Sequence, residues 1–359
     1  MLTIDQFDYH LPAPLIAHKP AEVRDHSQLL VVNRKSGLIT DQHFFNLPQI
    51  IDQNYLIVRN NTKVIPARIF GQKTTGGHVE LLLIKRSSIL TDGETWECLT
   101  KPGLKPGQTI VFPNSPLVGV CQNRNGYTQI IKFNQSATTL FTTLDQIGHT
   151  PIPPYIHWQQ SDEQHLRDIY QTTFAKHQGS VAAPTAGLHF TQELDQKLRE
   201  QGIEIVEVTL HVSLGTFLPV KEENIINHQM HSEQFELTNS AADQINQAKN
   251  NGKKILSVGT TTTRVLESCA NNQAVLTPQS GETDIYIYPG YQFKIVDSLI
   301  TNFHLPKSTL LMLISAFASF PQTQTKFESF QKSLVGLAYQ QAIDKEYRFY
   351  SFGDAMLIL

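Results

Sequence analysis

A chain of 359 residues, 40% hydrophobic and 17% charged, has the length of roughly two domains, each able to bury a core, and is too apolar for wholesale disorder. A formal net charge of -3 excludes polyanion binding by bulk attraction, though not by a local basic patch. Three cysteines, Cys98, Cys121 and Cys269, stand at no metal-ligand spacing, which excludes a disulfide framework and a zinc knuckle and suits a reducing cytoplasm.

The first segment carries Asp5, Asp8, Glu22, Arg24 and Asp25 rather than a basic start and an apolar run, so no secretory signal is expected. From about Thr62 to Thr150 the pattern is one of short strands, over 64–70, 78–84, 95–99, 109–112 and 117–120. Asn125-Gly126 then marks a two-residue hairpin before Ile130-Ile131. Many short strands without a helical period predict a small β-barrel or sandwich.

From about Ile152 onward helices alternate with strands. Thr191 is expected to cap a helix through Leu194 and Leu198 that stops at Gly202, ahead of a strand over 203–210. Ser240 is expected to open a second helix ending at Gly252, followed by a strand over 255–258 and a turn from Gly259 to Thr263 into a third helix. Ser308 caps a buried helix whose apolar run is well short of the ~20 residues that a membrane span needs, and 355–359 forms a terminal strand. This alternation predicts a layered α/β domain with a mostly parallel sheet, residues 1–61 and 151–359, interrupted by an inserted β-barrel at 62–150.

Several stretches suit chemistry. Over 180–190, Pro184 and Gly187 together with Ala182, Ala183, Ala186 and His189 fit neither a helix core nor a strand, and close approach of backbone to a ligand explains them better. In Val258-Gly259-Thr260-Thr261-Thr262-Thr263-Arg264 a strand ends in glycine and a hydroxyl-rich turn that opens a helix, where free N–H groups collect an anion. Threonines that merely cap a helix explain the segment equally well. No P-loop and no G-x-G-x-x-G follows any strand, so ATP hydrolysis and Rossmann-type cofactor binding lose support.

Among 14 histidines, His189, His211 and His304 sit at junctions of loops with regular elements, where an acid or base is useful. A lone histidine beside apolar residues is more often a core residue. The string His228 to Glu233 lacks the i, i+4 pairing and the cysteine partner of a metal site, so no metal is expected. Asp284, beside aromatics, suits a turn former and a ligand of a base edge equally. Arg59, Lys63, Arg68 and Lys101 suit a phosphate-tracking surface, and equally a solvated one.

Taken in order, the strings resemble one family along nearly the whole chain. They include Phe7-Asp8-Tyr9-His10-Leu11-Pro12, Arg24-Asp25-His26-Ser27, Asn60 through Arg68, Pro151 through Ile156, Ala182 through Phe190, Leu210 through Phe217, His228 through Glu233, Thr301 through Thr309 and Tyr350 through Met356. The family is the S-adenosylmethionine:tRNA ribosyltransferase-isomerases of the queuosine pathway. Ser213, where glycine is usual, and Thr262, where valine or serine is commoner, are small departures.

The resemblance implies an α/β domain carrying an inserted β-barrel and a reaction at the wobble position of tRNA. The ribosyl part of S-adenosylmethionine moves to 7-aminomethyl-7-deazaguanine and isomerises, giving epoxyqueuosine and releasing adenine and methionine. S-adenosylmethionine is then a co-substrate, with no prosthetic group, and the enzyme is a cytoplasmic monomer that does not meet a membrane. His189 is expected as the base at the 5′ carbon, and His211, His304 or Asp284 as the acid for departing adenine. Arg264 and the turn from Gly259 through Thr260 to Thr263 are offered for the methionine carboxylate, Ala182, Ala183 and Gly187 leave room for the sugar and base, and Thr185, Asn302 and Phe303 are further substrate-binding candidates. Arg59, Lys63, Arg68 and Lys101 are assigned to the tRNA. A methyltransferase that yields S-adenosylhomocysteine, and a non-catalytic tRNA-binding protein, are the competing readings.

Overall fold

Strands buried on both faces read as unbroken apolar runs, and Tyr55–Asn60 is one: all six of its residues are buried. In the computed structural model, which describes every residue except 1, 91–92, 154, 157–162, 214–219 and 322–326, it lies inside a nine-stranded sheet. The spatial order is Gln279–Thr283, Glu233–Leu237, Glu204–Leu210, Tyr55–Asn60, Lys254–Val258, Ser298–Asn302, Ala355–Ile358, Gln28–Val32 and Ile39–His43. The expected parallel order holds for the four strands from Glu204–Leu210 to Ser298–Asn302. The sheet as a whole is mixed, because Glu233–Leu237, Gln279–Thr283, Ala355–Ile358 and Ile39–His43 each run antiparallel to a neighbour. On one face Leu256, Val258, Ile300 and Leu357 pack with Phe44, Phe190, Leu194 and Leu198 into a single core.

Local chemistry accounts for several helix ends. The Thr191 hydroxyl accepts from the Leu194 N–H at 3.1 Å to open Gln192–Glu200, and Gly202 leaves that helix in the left-handed region at φ +78. Ser308 does the same for Thr309–Ser319 through the Leu311 N–H. The helix Asn239–Asn250 starts earlier than expected: Thr238, extended at φ -70 and ψ 158, accepts from Ala241 and is the cap, while Ser240 lies inside the first turn. Among the described residues no helix is long and apolar enough to cross a membrane.

The chain divides into two compact units, one of residues 1–61, 172–175 and 184–359, the other of 62–171 and 176–183. The second unit therefore continues past Thr150. Gln171 bonds both the N–H and the carbonyl of Val64 (3.0 and 2.8 Å), Arg167 donates to the Gly148 carbonyl at 2.6 Å, and His177–Ser180 pairs in parallel with Thr62–Val64. Its six strands Thr128–Phe133, Gly93–Lys101, His78–Leu90, Arg68–Lys73, Thr109–Val111 and Val118–Asn125 close into a barrel.

Two strand expectations shift. Pro66, which has no N–H to donate, separates Thr62–Val64 from Arg68–Lys73 where one strand was expected. The hairpin loop is Gly126-Tyr127 rather than Asn125-Gly126: Asn125 pairs with Thr128, and Gly126 alone has positive φ, at +57.

Candidate functional site

Ligands of open α/β sheets gather outside the carboxyl ends of the parallel strands. Here those ends carry Asn60, Gly259 and Asn302. The Asn60 side chain is buried and bonds both the N–H and the carbonyl of Leu210 (3.0 and 2.9 Å) and the Thr261 hydroxyl (3.3 Å), tying two strand ends to the start of a helix. Over this edge runs the 3-10 helix Thr185–His189. A Cβ built on Gly259 would lie 3.5 Å from the Ala186 Cβ, and the Thr185 hydroxyl donates to Asn302 Oδ1 at 2.8 Å. The segments around Pro184, Thr260 and Asn302 thus converge.

His189 is the centre of the cluster. Its ring is 4% exposed and stacks on Phe44, centroids 5.0 Å apart and planes 27° apart. Because Asn302 Oδ1 accepts from Thr185, its Nδ2 must point to His189 Nε2 (3.1 Å) and the Asp354 carbonyl (3.4 Å). Nε2 is therefore the acceptor of a neutral imidazole, and Nδ1 carries the proton, donated to the Ser27 hydroxyl at 2.7 Å. Burial lowers the imidazole pKa from 6.5 to about 4, against an opposing pull from Asp354.

That shift has a consequence for stability. The native state refuses a proton that the unfolded chain accepts, so the contribution is complete above pH 6.5 and is lost as the pH falls towards 4. Lowering the pH from 7 to 5 is expected to cost about 2 kcal/mol through this one residue. Urea unfolding at both pH values checks it: His189→Gln, which cannot be protonated, should lose correspondingly less than wild type. An equal loss in both proteins would remove His189 as the source.

The helix Gly259–Cys269 opens at this edge with Gly259 at φ +86, a left-handed conformation that favours glycine. The threonines do not cap it. Thr262 and Thr263 turn their hydroxyls back to the carbonyls of Val258 (2.7 Å) and Gly259 (3.2 Å), and the helix start receives no side-chain cap. The first N–H groups and the positive end of the helix dipole are thus presented at the carboxyl edge of the sheet. Arg264, one turn on and 2% exposed, is committed to the buried carboxylate of Glu233 and to the Thr283 carbonyl (3.3 Å). Glu233 also accepts the Ser213 N–H at 2.8 Å. Among the described residues no group of three or more His, Cys, Asp or Glu is placed to hold a metal ion.

The profile of the family described as "Queuosine biosynthesis protein" matches residues 4–358. The S-adenosylmethionine:tRNA ribosyltransferase-isomerase of Carboxydothermus hydrogenoformans is 48% identical over 360 residues, with 100% of both chains covered. The enzyme of the same name from Halothermothrix orenii is 47% identical over 362 residues, again with 100% of each covered. The chain belongs to the queuosine biosynthesis protein family. It is an enzyme, a ribosyltransferase-isomerase. Among solved structures, the crystal structure of S-adenosylmethionine tRNA ribosyltransferase from Thermotoga maritima is 35% identical with a TM-score of 0.53, covering 99% of this chain and 100% of that one.

Other expected site residues of this family member have different fates. Phe303 does not line the site: it is fully buried against Tyr339, Tyr347 and Phe349, since successive strand residues point to opposite faces and Asn302 takes the other one. His304 follows Phe303 to that side, with its Nε2 on the Thr301 hydroxyl at 2.8 Å, and burial holds its pKa far below the ordinary value. Gly187 does not leave room for a sugar, because a Cβ there would meet Phe174 at 2.8 Å and Thr172 at 2.9 Å; its space is already filled by protein. Asp284 is exposed just past the edge strand Gln279–Thr283. His211 is half-buried and directly follows Leu210 at the carboxyl edge.

Arg59 does not face solvent. It is 3% exposed, lies 3.7 Å over the Phe174 ring and is paired with Asp195 (2.6 Å) and Glu207 (3.1 Å), so it is not free to track phosphates. Ala182 and Ala183 are buried in the barrel unit. On the outer face of that barrel the register aligns Arg68 with Leu82 and Leu99, and Phe70 with Glu80 and Lys101. Lys63 and Lys101 are exposed, while Arg68 is half-buried on Glu80 at 2.8 Å. Pro154 and the stretch from Leu214 to Phe217, parts of the strings quoted above, lie outside the described residues. Ser27, Asn60 and Glu233 were missed as site residues. Their only sequence signal was membership of strings quoted for other reasons.

Proposed function

We propose that this enzyme transfers and isomerises the ribosyl part of S-adenosylmethionine onto 7-aminomethyl-7-deazaguanine at the tRNA wobble position, forming epoxyqueuosine and releasing adenine and methionine. The observation that carries the reading is a buried, neutral His189 beside an uncapped helix start at the carboxyl edge of the sheet. The sulfonium acidifies the neighbouring 5′ carbon, and a neutral imidazole takes that proton at Nε2, the nitrogen that Asn302 now occupies.

His211 serves as the acid for adenine, since it shares the edge defined by Asn60 and Leu210, whereas His304 lies across the sheet and Asp284 stands in solvent. The first N–H groups of Gly259–Cys269, with Thr260 beside them, take the methionine carboxylate. Arg264, already paired, supports that helix through Glu233 and is not itself the carboxylate ligand. Holding the aminomethyl group against the ribose supplies much of the acceleration. Lys63, Arg68 and Lys101 on the barrel unit contribute to a basic tRNA surface. The enzyme acts as a cytoplasmic monomer, without a prosthetic group.

Incubation with S-adenosylmethionine and a tRNA bearing the deazaguanine amine, followed by nucleoside and small-molecule analysis, tests the reading. Adenine and methionine in equal amounts, with epoxyqueuosine in the RNA, are expected. S-adenosylhomocysteine would establish a methyltransferase instead, and bound tRNA with no consumption of S-adenosylmethionine a non-catalytic protein.

A further inference from the structure

Two short 3-10 segments, Arg24–His26 and Phe44–Asn46, form the wall of the His189 cluster and show three rings on its outer side. Phe45 is 36% exposed. Its ring lies parallel to His43, centroids 5.1 Å apart and planes 9° apart, and edge-on to His26 at 5.2 Å. Both histidines are exposed. The chain neighbours of these rings face inward: Ser27, next to His26, bonds His189 Nδ1, and Phe44, between His43 and Phe45, stacks on the His189 ring. The exposed rings are thus the immediate chain neighbours of the groups that touch His189.

An aromatic ring kept in water is unfavourable for folding, and here three share one patch. Two of them are imidazoles, whose polar edges suit neither a lipid chain nor an apolar helix. Flat ring faces beside a cation suit an unpaired nucleobase, because every base has a face to stack and RNA is recognised largely through splayed bases. Arg24 stands in the same 3-10 segment as His26.

We propose that Phe45, flanked by His43 and His26, is the stacking platform for an unpaired anticodon-loop base next to the reacting nucleotide. The proposal rests on the tRNA reading above, and its test separates the two. The full-length protein is titrated with an anticodon stem-loop RNA carrying 2-aminopurine beside the wobble position. Wild type should quench the fluorophore. Phe45→Ala should weaken RNA binding roughly 10-fold and abolish the quench, with S-adenosylmethionine binding unchanged, and Phe45→Trp should restore both. If Phe45→Ala does not fold, His43→Ala at the neighbouring exposed ring takes its place and should show a smaller loss of the same kind. Wild-type affinity and quench in these variants, with turnover intact, would overturn the platform and leave the function standing. Absence of both RNA binding and turnover in wild type would overturn the function, and the platform with it.

Discussion

His189→Ala is expected to lower turnover by about 10²- to 10⁴-fold, the usual contribution of a positioned general base, with tRNA affinity little changed. His189 is buried. It is enclosed by Phe44, Ser27 and Asn302, and its proton-accepting nitrogen is held by Asn302, the last residue of the strand Ser298–Asn302. Removing the ring also takes the Nδ1 partner from the Ser27 hydroxyl and one of two acceptors from the Asn302 amide, so the assay belongs at a temperature where circular dichroism shows the variant folded. Ser27→Ala separates positioning from catalysis. It leaves the base in place but takes away the acceptor of its Nδ1 proton, and the expected result is a smaller loss in kcat, with little change in KM. Near-normal adenine release by folded His189→Ala would take the base role away from this residue.

Glu233→Ala is expected to cost about 3–5 kcal/mol of folding stability, the range for breaking a buried ion pair by removing one partner. Arg264 is 2% exposed and Glu233 1%, so the variant leaves a guanidinium desolvated and also orphans the Ser213 N–H. Replacing both partners, Glu233→Leu with Arg264→Met, removes both charges and should recover most of the loss. Urea denaturation of Glu233→Leu, of Arg264→Met and of the double variant gives the coupling directly. A loss below ~1 kcal/mol in the single variant, the size of an exposed pair, would show that water reaches the pair in solution. Because Arg264 stands one turn into the helix that presents its N–H groups, KM for S-adenosylmethionine should rise in Glu233→Ala as well.

What the sequence determined by itself is what depends on neighbours along the chain. Thr191, Gly202 and Ser308 end helices where side-chain oxygens and a left-handed glycine end them, because a cap reaches only two or three residues. The passage from strand to helix at Gly259 was legible too, although the helix opens at Gly259 itself and takes in the expected turn through Thr263, and so was the run of barrel strands between Thr62 and Thr150, two of which, His78–Leu90 and Gly93–Lys101, run longer than expected. At the helix Asn239–Asn250 the cap is Thr238, directly after the strand Glu233–Leu237, and not the expected Ser240.

Only the tertiary structure decided which polar groups would be free. Arg59 is consumed by Asp195, 136 residues on, and Arg264 by Glu233, 31 residues before it. The tautomer of His189 depends on Ser27 and Asn302, 162 and 113 residues away. Whether a cation tracks phosphate, or a histidine holds a lone pair towards substrate, follows from the dielectric and the partner that folding brings to it. Neither quantity exists until distant segments of the chain meet.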